Sequence, residues 1–273
     1  MILKIKYIFT LLFRILFNER FLIKNLIKRD ISSRYKGSIL GVLWSLINPL
    51  IMLAVYTFVF SVVFKARWVG GTGSKTEFAL LLFSGLIIFN IFADCINRAP
   101  TLITSNPNFV KKVVFPIEVL PLVVIGSSLF QFIMGFIVWL AFYFIFFGLP
   151  HLTILLLPLT ILPLIFFSLG ITWFIASIGV YIKDISQMTG VITTVLLFLS
   201  PIFYSIKMLP DFFQKIMLLN PLTFIIESSR SVMIWGGGIN WNEYFIQIFI
   251  SIAIFIVGYM FFMRTKKGFS DVL

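Results

Sequence analysis

Charge is scarce in this sequence: 22 Lys and Arg with 10 Asp and Glu make 12% of 273 residues, where soluble domains carry about 25%. With 60% of the chain hydrophobic, that shortage excludes a water-soluble globule and a disordered chain alike. Cysteine is missing but for Cys95, so no intramolecular disulfide forms and a disulfide-stapled secreted scaffold is excluded. Histidine is missing but for His151, which argues against a histidine metal centre and Ser-His catalysis. Asp94, Glu118 and Asp184 stand singly near the ends of apolar runs. The paired carboxylates that a membrane glycosyl- or acyltransferase needs are therefore lacking. No charge falls mid-run and no internal repeat is visible, which argues against a carrier driven by protons or sodium ions. Nor is a cleaved signal peptide expected, because Lys4, Lys6 and Arg14 interrupt the first apolar stretch and no small-residue cleavage site follows. Gly71-Thr72-Gly73-Ser74-Lys75-Thr76 mimics a phosphate loop, but Ser74 separates glycine from lysine. The sequence predicts no catalytic residues, no metal and no cofactor in this chain.

What is present is long uncharged runs. A spanning helix needs about 20 apolar residues, and the gaps between charges place spans at roughly 44–64, 78–95, 117–147, 152–182, 185–206 and 244–263. The 64-residue gap 119–182 is divided by the turn Gly148-Leu149-Pro150-His151. Its two halves are long for a bilayer, so tilt, protrusion or kinks at Pro158 and Pro163 are expected to absorb the excess. With the N-terminus inside, the inner segments hold sixteen of the 22 basic residues and the outer ones six. The fold expected is an all-α integral membrane protein with six transmembrane helices, N-in and C-in. The net charge of +12 is read as an inner rim facing anionic lipid rather than as a nucleic-acid surface.

Three segments outside the spans carry pattern. In 1–43, Leu22, Ile23, Leu26, Ile27 and Ile31 recur at helical spacing opposite Arg20, Lys24 and Lys28, as in an interfacial amphipathic helix. Residues 98–116 make a connection longer than a turn requires. Residues 207–243 form an unusually apolar outer segment, with Asn220-Pro221 as an expected N-cap and first turn. Two short re-entrant helices fit that segment better than a seventh span, which would put Glu227 and Arg230 mid-membrane. Those two residues, three apart, are placed to pair on one face.

The ordered motifs carry a resemblance. They include Arg34-Tyr35-Lys36-Gly37-Ser38-Ile39-Leu40-Gly41 with Trp44 and Asn48-Pro49, then Asn97-Arg98-Ala99-Pro100 with Asn106-Pro107-Asn108 and Lys111-Lys112. Leu199-Ser200-Pro201-Ile202-Phe203-Tyr204, Asn220-Pro221-Leu222 and Gly268-Phe269-Ser270-Asp271-Val272-Leu273 complete the set. Nearly end to end, the chain resembles the membrane subunit of ABC type-2 polysaccharide exporters, closest to the permeases for lipid-linked O-antigen in Gram-negative bacteria. The resemblance implies a single transmembrane domain over 1–273 in the bacterial inner membrane. It also implies two copies working with two copies of a cytoplasmic ABC ATPase that binds ATP and Mg. Asp30, Arg34, Tyr35, Arg98, Asn106, Lys111 and Lys112 then correspond to the inner gate and ATPase contact, with 98–116 as coupling region. The 207–243 helices, with Glu227 and Arg230, correspond to the outer gate.

Aromatic residues make up 18% of the chain, and their faces suit the C–H faces of sugar rings. Most are expected to face lipid or pack between helices. Trp44, Tyr56, Phe60, Phe203 and Tyr204 are the expected channel-lining set. Capsule and teichoic-acid exporters share the architecture, so the glycan stays open, and a non-transporting scaffold subunit is the second class of reading.

Overall fold

The structure, a computed structural model, describes residues 17–63, 68, 71, 74–111 and 115–272. Among them every regular element is helical. Helix α1 (Arg20–Arg34) lays Leu22, Ile23, Leu26 and Ile27 against Val119 and Val123 and leaves Arg20, Lys24 and Lys28 exposed. This is the two-faced pattern of its sequence. Helix α2 (Trp44–Tyr56) contains Pro49 and runs on into a π-helical stretch, Thr57–Val63.

Helix α3 (Lys75–Arg98) is the axis of the molecule, buried along most of its length by the elements around it. After the short α4 (Pro107–Lys111), helix α5 (Leu120–Phe147) begins with Pro121, where a missing N–H costs nothing, and stops at Gly148 with φ of 81°. Helix α6 (Leu157–Tyr181) follows a 3-10 segment, Leu152–Leu156. Pro158 therefore sits in the first turn of α6 rather than kinking a longer helix, while Pro163 lies inside it.

Helix α7 (Ile185–Phe198) is followed by α8 (Asp211–Leu219), α9 (Pro221–Met233), α10 (Trp241–Thr265) and α11 (Phe269–Val272). Asn220 caps α9 as its sequence predicts, its Oδ1 accepting the Leu222 N–H at 3.0 Å. Helices α6 and α10 approach closest: a Cβ on Gly258 would lie 1.9 Å from the Gly170 carbonyl oxygen. Small residues at a crossing let backbones touch in this way.

Among the described residues, five helical stretches are long and apolar enough to cross a membrane: Gly41–Phe60, Lys75–Thr101, Ile117–Phe147, Leu152–Tyr181 and Trp241–Val272. They correspond to five of the six expected spans. The remaining one, expected within 185–206, contains the 14-residue apolar helix α7, about 21 Å long against a hydrocarbon core of about 30 Å.

Candidate functional site

Two helices end on the same pattern, an aspartate four residues before an arginine: Asp30 and Arg34 on α1, Asp94 and Arg98 on α3. That spacing puts both groups of each pair on one helical face, and the two faces meet. Across the interface, Arg34 Nη2 lies 2.7 Å from Asp94 Oδ2 and Arg98 Nη2 lies 2.5 Å from Asp30 Oδ1. Within each helix the pairs are looser, at 3.7 Å and 3.6 Å. Helix α5 adds hydroxyls: Arg98 Nη1 donates to Ser127 Oγ at 3.0 Å, and Ser128 Oγ donates to Asp94 Oδ2 at 2.5 Å. Burial opposes the charge on Arg34, but the hydrogen bond and charge of Asp94, with Asp30 behind it, hold its pKa above the ordinary value. The quartet carries no net charge, so it joins three helices without leaving an unpaired ion.

Above it, Gln131 Nε2 donates to Tyr35 Oη at 2.6 Å, at the foot of a groove of about 590 Å³ between α2, α3, α5 and α7. Apart from Arg34 and Asp94 at its foot the walls are uncharged, with Asn48, Asn90, Asn97, Gln131, Thr193 and Thr194 interleaved with Tyr56, Phe83, Phe132 and aliphatic side chains. Helix α3 is buried from Phe78 to Phe92 except at Asn90, and its open strip continues one turn on through Asp94 and Asn97. Beyond Tyr56 the groove meets a stack of rings. Phe203 lies 6.5 Å from Tyr56 and 5.3 Å from Phe60, centroid to centroid.

The expected site residues are thus placed as follows. Asp30, Arg34, Tyr35 and Arg98 converge at the charge quartet and the foot of the groove. Asn106 lines a separate cavity of about 690 Å³ under α1 and donates to the Leu102 carbonyl at 2.9 Å. Lys111 ends α4, and Lys112 lies outside the described residues. Tyr56 lines the groove, Phe60 and Phe203 stack at its end, and Tyr204 donates to the Phe198 carbonyl at 2.6 Å. Trp44, half-buried, begins α2 away from the groove lining. Glu227 and Arg230 pair at 2.8 Å.

Arg230 has further partners. Its Nε donates to Leu81 O at 3.0 Å, its Nη2 to Ile202 O at 2.9 Å and its Nη1 to Pro201 O, while Trp68 stacks 4.5 Å away. Gly85 leaves room for the guanidinium; a Cβ there would come within 2.6 Å of Nη2.

Sequence reasoning missed Asp94, Ser127, Ser128 and Gln131. Two of the carboxylates that stand singly in the sequence have basic partners: Asp94 binds Arg34, and Glu118 binds Lys266 at 2.5 Å. The repeated Asp-x3-Arg spacing was the available signal.

Comparison with known proteins adds family evidence. Residues 22–234 match the sequence profile of the family described as ABC-2 type transporter. The chain is 27% identical over 246 residues to a protein named O-antigen export system permease protein RfbA from Klebsiella pneumoniae, covering 90% of this chain and 92% of that one. A protein of the same name from Myxococcus xanthus is 26% identical over 223 residues, covering 81% and 83%. The polysialic acid transport protein KpsM of Escherichia coli is 25% identical over 246 residues, covering 87% and 91%.

Proposed function

The chain belongs to the ABC-2 type transporter family, and from that premise we propose that it is the permease subunit of an ATP-driven polysaccharide exporter. Two copies, each contributing one wall, enclose a path for a lipid-linked glycan of O-antigen type across the bacterial inner membrane. Two cytoplasmic ABC ATPases supply the energy and bind the ATP and Mg. In this reading six segments span the membrane with both termini inside, α7 with the chain after it making the fifth. The two helices α8 and α9 dip into the outer leaflet as an outer gate, and the quartet at Arg34 forms the inner gate.

The observation that carries this reading is the groove. Amides, hydroxyls and ring faces line it from the quartet to the Tyr56 stack, and these groups suit a hydrated polymer of hydroxyls and C–H faces that must slide without being trapped. The relatives named for O-antigen export support that cargo class over capsule, the alternative that a relative named for polysialic acid transport supports.

The test is to co-express the chain with an ABC ATPase from the same genome and purify the pair in lipid. ATP hydrolysis should rise on adding a lipid-linked O-antigen and stay flat with the lipid anchor alone. An ATPase that co-purifies but responds to no lipid-linked glycan would favour the scaffold reading.

A further inference from the structure

Among the described residues 22 line the groove; of these only Arg34 and Asp94 are charged, and those two bind each other at 2.7 Å. The chain as a whole carries +12, so this neutrality is local. The side-chain amides of Asn48 on α2 and Asn90 on α3 make no hydrogen bond among the described residues, which leaves both to offer a donor and an acceptor to whatever fills the groove. Asn97 accepts from Thr193 Oγ1 at 3.0 Å through its Oδ1.

We propose that this groove selects uncharged glycans, with Asn48 and Asn90 as the residues that set the preference. The inference rests on the export reading above, in which the groove is one wall of the path. A sugar hydroxyl both donates and accepts, and an amide answers both. A carboxylate on each repeat would meet only neutral dipoles and apolar side chains there, because Arg34, the one cation among the described lining residues, is already bound by Asp94. An ionised group moved from water to such a place without a partner is strongly disfavoured.

The experiment uses the permease–ATPase complex in proteoliposomes with two probes. Both are oligosaccharides of equal length on the same polyprenyl diphosphate; one is built of neutral hexoses and the other carries a uronic acid in every repeat. Wild type should translocate the neutral probe about tenfold faster or more, the smallest factor expected for an unpartnered carboxylate. Asn90→Lys should shrink that ratio about tenfold by giving the carboxylate a partner. Asn48→Lys, on another wall, should act in the same direction, so the test does not depend on one variant assembling. Equal rates for both probes in wild type, or faster movement of the uronic-acid probe, would overturn the selectivity and leave the export reading standing. An unchanged ratio in a lysine variant that assembles with the ATPase would equally overturn the role given to the groove. Movement of neither probe by an intact, ATP-hydrolysing complex would remove both readings.

Discussion

At Arg230 a full positive charge is held with 1% of its side chain exposed, and each direction it faces offers an acceptor. Three backbone carbonyls, the Glu227 carboxylate and the Trp68 ring surround it. The pair is asymmetric, because the Glu227 side chain is 41% exposed. Arg230→Ala strands buried carbonyls as well as the carboxylate, and should destabilise the protein by roughly 3–5 kcal/mol. Glu227→Ala leaves the guanidinium its carbonyls and should cost about 1 kcal/mol or less. Arg230→Lys should recover only part of the loss, since a point charge cannot reach three carbonyls held in different directions. Exchanging the two charges should not rescue, because a carboxylate at 230 would face carbonyl oxygens. Thermal unfolding in detergent reads all four variants; equal losses for Arg230→Ala and Glu227→Ala would contradict this account.

Among the elements, α4 and the α6–α10 pair invite direct tests. The described residues of the 98–116 connection include a 3-10 turn, Ala99–Thr101, and the five-residue α4. If it couples the ATPase to transport, reversing the charge at Lys111 and Lys112, or placing glycines within α4, should leave insertion and ATPase binding intact while export stops. Normal export in those variants would reduce the segment to an ordinary loop. At the helix crossing, Gly258→Val has only the Gly170 backbone to push against and should lower stability by about 1–3 kcal/mol. Gly190→Ala in α7, where nothing lies within 4 Å of the added carbon, should be neutral or mildly stabilising. Melting temperatures of the two variants check the contrast.

For the whole molecule, the isolated chain should neither bind nor hydrolyse ATP, and equilibrium nucleotide binding to the purified permease checks this. Tight binding would contradict the division of labour with an ATPase. The long helices were legible because a charge-free run of membrane length has few alternatives, and the Asn220 cap because its chemistry is local. The fifth expected span was less legible. Its apolar run continues past Phe198, but Pro201 lacks an N–H and disfavours helix at Ser200, so α7 stops short. The charge quartet was half legible: each Asp-x3-Arg pair is plain in the sequence, whereas their crossing joins residues 60 apart and more. The π-helical stretch after Tyr56 has no comparable sequence mark.

The contact between Gly170 and Gly258 has a mechanical consequence. Side chains between two helices act as a gasket, since they can change rotamer and let one rod creep along the other. At this point, between the ring contacts of Trp173 with Phe255 and Tyr259, the rods bear on each other through peptide groups, which have no rotamers to change. Helix α10 is 25 residues long, about 38 Å, and is clamped to α6 partway along. A load applied where Lys266 grips Glu118 therefore travels to the Trp241 end with little backlash, so α6 and α10 form the stiff frame against which the slighter α2 and α7 can yield.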